Sequence, residues 1–440
     1  MPEFIPLRDY KKTSPYKKGD VFVLFGELFS RGYANGLVEN AKKAGMTIIG
    51  ITVGRREKDN SLRPLTEVEL ADGEANLGGK IINVPLWAGY DLDPAKDGST
   101  PTDQFTKVKP SNWAETKLDW DKIAESKEAG LSRFTNSIQE SLRQMEALIP
   151  EGANVLFAHL MAGGIPKSKI TFFLTNRSLK GKGDKFLPSE KFWNSDVGRF
   201  SEENFYAVTA ETYRTLIKES AGIKAKVEAA GGKVCYTAYG YHGSEILIGG
   251  KPQWQSYTPY LQGFAKIRLE EVAIEAWGNG IKACTYNCPE IRTNSSDLFS
   301  GVEISLYPLV TSLKNAGASN PWVQGQIDLL ESKLTENASI DGLLKRADEY
   351  HTAPEIQEAY QNFAGWPSHN NLKLAETMLQ ASEELMAMNA DKKDLITDHL
   401  SQIVVDSTGV IMFNESLDPQ GPVLWINHDV IAAERLDTNS

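Results

Sequence analysis

Cysteine is scarce in this 440-residue chain, with only Cys235, Cys284 and Cys288 present. Three are too few for a disulfide framework, and Cys284 and Cys288 have no second pair to complete a zinc site. The six histidines show no H-x-x-x-H spacing and no cluster with carboxylates, so no metal is expected. No apolar run reaches transmembrane length, and the opening "MPEFIPLRDYKKTSPYKKGD" lacks the apolar core of a secretory signal. Lysine and arginine are outnumbered by acidic residues, 47 to 58, for a net charge of −11. That balance argues against nucleic acid, whose phosphates need a basic surface. "GGIPKSK" lacks the lysine–serine pair after a full G-x4-G turn, which excludes a nucleoside triphosphatase. The expectation is a cytoplasmic protein with no membrane insertion. Its 41% hydrophobic content is enough to bury a substantial core.

What the chain does have is alternation. "DVFVLFG" is a short β-rich run ending in glycine, and "YANGLVENAKKAG" after it puts Leu37, Ala41 and Ala44 on one helical face. "MTIIGITVG" is a second strand, which completes a βαβ unit. Further strands are predicted at "GKIINVPLW", "ANVLFAHLMAGG", "KVCYTAYG" and "IKACTYNCPEI". Helices are predicted at "SRFTNSIQESLRQMEALIP", at "SEENFYAVTAETYRTLIKESAGIKAKVEAAGG" and at "LQGFAKIRLEEVAIEAWGNG". This implies an α/β fold, a doubly wound, Rossmann-like parallel sheet with helices on both faces. After about Thr293 the pattern becomes mostly helical, with "GVIMF" and "VLWIN" as closing strand-like pieces. Residues 1–300 are read as one Rossmann-like domain, and 301–440 as a mostly helical C-terminal extension packing on it.

Between the first strand and helix lies "GELFSRGYANG". Glycines in such a turn let the backbone approach a pyrophosphate, and the following helix N-terminus supplies N–H groups and a positive dipole end. The spacing Gly26-x3-Ser30-x-Gly32 does not match G-x-G-x-x-G, and a plain glycine-rich strand–helix turn explains it equally well. The second strand ends in "TVGRRE", which puts Arg55 and Arg56 where such a fold reads the adenosine ribose. Arginine there can pair with a 2′-phosphate, so NADPH is expected, with NADH as the alternative. Two surface arginines in a polar loop is the bland reading.

Tyr257 precedes Lys266 with eight residues between them, and the lysine enters a helix. An ammonium near a phenol lowers its pKa and favours proton donation. Singly, Tyr239, Tyr257 and Tyr260 are most simply packing tyrosines. His242 and His159 are read first as satisfied structural histidines, with pocket roles as the alternative.

Several segments together resemble the short-chain dehydrogenase/reductase superfamily, and within it the divergent enoyl-acyl-carrier-protein reductases. The Gly26-x3-Ser30-x-Gly32 turn is similar to the G-x3-G-x-G turn of that superfamily, with Ser30 in the middle glycine's place. "Gly263-Phe-Ala-Lys266-x-x-Leu269-Glu270" resembles the G-x-A-K-x-x-L-E helix of those reductases. The Tyr-x8-Lys spacing is similar to the long-spaced trans-2-enoyl reductases. "TAY" ending at Tyr239 resembles the site of their additional tyrosine, and "CPEIRT" the segment bordering the nicotinamide. "AHLMAGG" stands where the superfamily carries an Asn-Asn-Ala-Gly strand end. The nearest group is an enoyl reductase-like one associated with metagenomes. The resemblance covers roughly residues 20–300.

The resemblance implies NAD(P)H-dependent reduction of a trans-2-enoyl thioester in fatty acid synthesis, on acyl carrier protein or coenzyme A. It implies Tyr257, Lys266 and Tyr239 as catalytic residues. Gly26, Ser30, Arg31, Gly32, Arg55, Arg56, Ala162, Gly163, Lys266, Pro289, Ile291 and Thr293 are expected at the cofactor. Tyr260, Leu298 and Phe299 are expected at the substrate. Tyr260, five residues before the lysine, competes with Tyr257. The alternatives are another carbonyl or alkene reductase of the superfamily and a non-catalytic NADP-binding sensor or scaffold. The stretch Ile165 to Lys191 holds seven basic residues against two acidic ones and is a candidate docking patch for an acidic carrier. A homo-oligomer is compatible with these readings.

Overall fold

The computed structural model describes residues 4–257, 261–294, 296, 301, 303–361 and 371–439. Seven strands form one sheet: β1 (Val21–Phe25), β2 (Thr47–Ile51), β5 (Lys80–Ile82), β6 (Val155–His159), β7 (Val234–Gly240), β10 (Ala283–Asn287) and β11 (Val423–Trp425). Two short ribbons lie outside it, β3 (Arg55–Arg56) with β4 (Leu62–Arg63), and the hairpin β8 (Gly243–Ile248) with β9 (Lys251–Ser256). The order across the sheet is β5-β2-β1-β6-β7-β10-β11, and every pairing in it is parallel. The strand order reverses between β1 and β6, and in open α/β sheets ligands bind outside the carboxyl ends at that crevice.

Successive side chains on a strand point to opposite faces, and here each face has its own core. Phe22 and Leu24 of β1, Leu156 and Ala158 of β6, and Cys284 and Tyr286 of β10 join one buried cluster with the C-terminal helices. Val21, Val23, Phe25, Val155 and Phe157 join the other, with the helices Trp120–Glu146 and Leu261–Gly278. A third cluster, from residues 90–123 and 165–207, covers the first turn of the helix that carries Lys266.

Some elements depart from the sequence pattern. "GVIMF" lies inside the helix Ile396–Glu415, not in a strand, because it is buried on nearly every side and so shows no helical face. The expected long helix after Phe200 starts earlier, capped by Ser195, passes through a π-turn at Ala207–Glu211 and breaks at Ser220. "VLWIN" does supply a strand, and it becomes the seventh of the sheet, beside β10. The sheet therefore draws its last strand from beyond residue 300. The N-terminal segment covers this edge, with the Leu7 amide donating to Trp425 O at 2.8 Å. Among the described residues, no helix is long and apolar enough to cross a membrane.

Candidate active site

The crevice at the carboxyl ends of β1, β6 and β7 holds the expected motifs. After β1 the chain turns at Gly26, whose φ of +134° suits glycine and where a Cβ would stand 3.1 Å from Leu160 Cβ. The helix Ala34–Lys43 follows, its first turn stabilised by Asn35, which reaches back to the carbonyls of Phe29 and Gly32. Ser30 is exposed on this loop. Arg31 reaches toward Asp398, which also pairs with Arg292.

A cavity of about 460 Å³ opens here. Its wall combines the loop from Arg31 to Asn35, the β6 end at Ala162 and Gly163, Tyr239, Tyr241, Thr293 and Lys266. Lys266 is only 4% exposed, and no described residue accepts a hydrogen bond from its ammonium. Burial pulls its pKa down to about 7. Its helix begins at Leu261, and Gly263 lets the first turn lie close to the Tyr241 and Tyr257 carbonyls, where a Cβ would stand 2.9 Å and 2.3 Å from their oxygens. One turn beyond the lysine, Glu270 is fully buried, pairs with His242 Nδ1 at 3.0 Å and accepts from Asn287 Nδ2 at 2.7 Å. This buried pair ties the lysine helix to β10 and to the β7–β8 turn.

The tyrosines divide into two groups. Tyr239 stacks on Tyr33, centroids 5.3 Å apart, and donates to Tyr33 O at 2.9 Å; the Tyr33 hydroxyl donates to Pro289 O at 2.5 Å. Tyr257 is buried behind Tyr241, the rings stacked at 4.6 Å, and does not line the cavity that holds Lys266. Its hydroxyl accepts from the Glu290 amide at 2.9 Å and lies 3.3 Å from Ser244 Oγ. Burial raises the phenol pKa of both Tyr239 and Tyr257, so both hold their protons. Glu290 accepts from the Tyr241 hydroxyl and, at 2.8 Å, from Ser305. Its carboxyl pKa is raised well above the usual range, chiefly by burial, against the lowering effect of those two hydrogen bonds. Tyr257 and Glu290 also line a small second cavity toward the C-terminal helices, with Tyr350 and Met378.

The same crevice continues past β1 toward β2. A cavity of about 390 Å³ lies between Gly26, Val53, Trp87 and Met161, and another of about 320 Å³ beside Glu27, Thr52, Arg55, Glu69 and Asp72. Arg55 is held by Glu27 in a two-bond pair at 2.6 and 3.0 Å. Arg56 donates to Asn60 O and its guanidinium stacks over Trp87 at 4.9 Å. The Arg55 guanidinium is thus occupied by Glu27, whereas Nε and Nη2 of Arg56 are buried without a hydrogen-bond partner among the described residues. Ile291 is buried in the core behind the site. His159 is buried and bonded to Thr212 Oγ1 at 2.8 Å, while that hydroxyl donates to Val208 O, so the ring donates from Nε2 and is anchored structurally. Tyr260, Leu298 and Phe299 lie outside the described residues.

Sequence reasoning missed Tyr241, Glu290 and the hairpin that lies between Tyr241 and Tyr257 in the chain. The hairpin had a signal, "GSEILIGGKPQWQS", in which Gly249-Gly250 divides two short β-rich runs. Tyr241 and Glu290 had none, because their contact spans 49 positions.

A doubly wound sheet with a glycine turn at its switch point and a buried lysine beside tyrosines defines a dinucleotide-dependent reductase. The sequence profile of the family described as "Enoyl-acyl carrier protein reductase FabMG" matches residues 3–435, and the chain belongs to that family. It is similar to a solved structure described as the apo form of FabMG, a novel type of enoyl-acyl carrier protein reductase. The two are 50% identical over 99% of this chain and 98% of that one, with a TM-score of 0.94. It is similar also to an NADH-bound structure of FabMG, 43% identical over 100% of both chains, with a TM-score of 0.80. None of the curated proteins matches the chain in sequence.

Proposed function

We propose that this enzyme reduces trans-2-enoyl thioesters on acyl carrier protein with NADH as the donor. The observation that carries this is the buried Lys266 ammonium, without a protein acceptor among the described residues, on the wall of the cavity shared with Tyr239 and the Gly32–Asn35 helix start. A buried amine needs a partner, and the hydroxyls of a nicotinamide ribose fit that need. The cofactor supplies a hydride to the β-carbon of the enoyl group. Gly26, Gly32, Ala162, Gly163 and Thr293 would line its path, with Ser30 and Arg31 on the flanking loop. Pro289 and Ile291 support the wall by holding Tyr33 and filling the core behind it.

The tyrosine face then stabilises the enolate oxygen. Neutral phenols are donors, and a water-excluded site makes each donor count for more than in water. Tyr257, clamped by the Glu290 amide and Ser244, stands in the second row of this face, and Tyr260, Leu298 and Phe299 are proposed at the acyl chain. The cofactor-binding and catalytic domain is proposed to comprise residues 1–300 together with the edge strand Val423–Trp425, with the helices of residues 301–440 packing on it around the acyl group. NADH is favoured over NADPH because Glu27 and Glu69 pair with Arg55 and Asp72 lines the same cavity, where a 2′-phosphate would meet carboxylates. The carrier form of the substrate is favoured over coenzyme A by the basic stretch from Ile165 to Lys191. We place the reaction in the cytoplasm, with its NADH pool, and a homo-oligomer is compatible with the fold.

The test is NADH fluorescence on mixing, followed by loss of NADH absorbance with crotonyl-acyl carrier protein. Binding without turnover would instead favour a sensor or scaffold.

A further inference from the structure

A hydride added to the β-carbon leaves an enolate that must gain a proton, and the source has to reach both the cavity and a proton store. Tyr239 reaches the cavity, but its hydroxyl is spent on the Tyr33 carbonyl. Tyr257 is near Glu290 but behind Tyr241. Tyr241 alone among these three lines the cavity beside Lys266 and hydrogen-bonds to a buried carboxyl. Glu290 itself has a carboxyl oxygen on each of two partners, Tyr241 and Ser305. Ser305 accepts from Gln255 Nε2 at 2.9 Å, so its single hydroxyl proton points to Glu290. The carboxyl thus sits in a fixed cradle, 2% exposed.

Resting on the proposed function, we infer that Tyr241 delivers the proton to the enolate and that Glu290 resupplies it. With the Glu290 carboxyl protonated on Oε1 and donating to the Tyr241 oxygen, the Tyr241 hydroxyl proton points into the cavity. That O–H bond breaks as its proton passes to the enolate oxygen. The enol becomes the saturated thioester as its α-carbon gains a proton from water and its oxygen returns one to water. The phenolate takes the proton of the Glu290 carboxyl. The carboxylate left behind recovers a proton from water when product leaves. No oxidant or reductant beyond the cofactor of the proposed reaction is needed. The upward pKa of Glu290 agrees with this, since burial favours the protonated form of the carboxyl that the store needs. Tyr241 is the catalytic residue here, and Glu290 acts through it.

The test compares Tyr241→Phe, Tyr257→Phe and Glu290→Gln with the wild type in the full chain, using NADH and crotonyl-acyl carrier protein. Glutamine keeps the shape and hydrogen-bonding capacity of the carboxyl but cannot give up an acidic proton. Expected are NADH affinities within about twofold of wild type, and kcat lowered at least about tenfold in Tyr241→Phe and Glu290→Gln. Tyr241→Phe should lose more than Tyr257→Phe. Two readouts separate a proton store from a mere brace. The solvent deuterium isotope effect on kcat should grow in Glu290→Gln, and the infrared band of a protonated carboxyl in the cofactor-free protein should vanish in that variant. Wild-type kcat in Tyr241→Phe, wild-type kcat in Glu290→Gln, or no such band would overturn the inference. Tyr241→Phe decides alone should Glu290→Gln not fold. Wild-type protein that binds NADH but never oxidises it would sink the reading of function, and the relay with it.

Discussion

Replacing Lys266 with methionine should stabilise the cofactor-free protein at neutral pH, and the gain should shrink as the pH rises. The lysine is buried, and burial takes its pKa from the ordinary 10.5 to about 7. At about 1.4 kcal/mol per pH unit, that gap corresponds to about 5 kcal/mol. The unfolded chain holds the proton up to the ordinary value and the folded chain releases it near 7, so between these limits the unfolded state binds more protons. Stability therefore rises with pH across that window. The wild type carries its full penalty below the folded value and loses it toward the unfolded one. Methionine fills a similar volume and carries no charge at any pH. From about pH 6.5 to about pH 9.5, the advantage of Lys266→Met over wild type should fall by about 3 kcal/mol. Urea melts of both proteins at the two pH values measure it, provided unfolding is reversible. An advantage that does not change with pH would mean that the folded protein keeps the ammonium charged, and the burial argument would be refuted. The same variant should bind NADH more weakly, because a group kept at a cost to stability is expected to serve function.

The cofactor preference turns on Glu27, which occupies Arg55. Wild type should favour NADH, and Glu27→Gln should move the NADPH-to-NADH affinity ratio toward NADPH by about tenfold, the worth of one charge-assisted hydrogen bond. Equal ratios in both proteins would remove this pair from the site. The helix Ala34–Lys43 crosses Ile396–Glu415 so closely that a Cβ at Gly36 would stand 2.2 Å from Val405 O and 2.9 Å from Gly409 Cα. Gly36→Ala should cost about 1–3 kcal/mol by forcing the helices apart, read as a lowered Tm; an unchanged Tm would show the crossing to be loose. In the basic stretch, Lys182 is spent on Glu383, while Lys169, Lys185 and Lys191 are exposed. Charge reversal at these three should raise KM for crotonyl-acyl carrier protein and leave crotonyl-N-acetylcysteamine nearly unaffected. Equal effects on the two substrates would leave this surface without a docking role.

Much of the frame was legible because it is encoded locally. A strand, a turn and a helix within 25 residues of Val21 show their periods in the sequence, and short connections leave little choice of topology. The motif around Lys266 is equally local, since Gly263, Lys266 and Glu270 sit on one helix, and their spacing fixes which of them share a face. Gly26 and the β6 end were readable as turn chemistry.

Tertiary structure decided what depends on distant partners. "GVIMF" has the composition of a strand, but Gly409 packs on Gly36 from the far end of the chain, and an all-round buried segment has no period to betray its helix. The place of Arg55 is fixed by sequence position, while its availability to a phosphate is set by Glu27. The Tyr-x8-Lys spacing singles out Tyr257, yet the hairpin inserted before it lets Tyr241 fold in front and meet Glu290. Spacing along a chain reports which residues share an element. Which phenol faces a cavity depends on how separate elements stack, and that is settled only when the sheet, the lysine helix and the C-terminal helices close around one crevice.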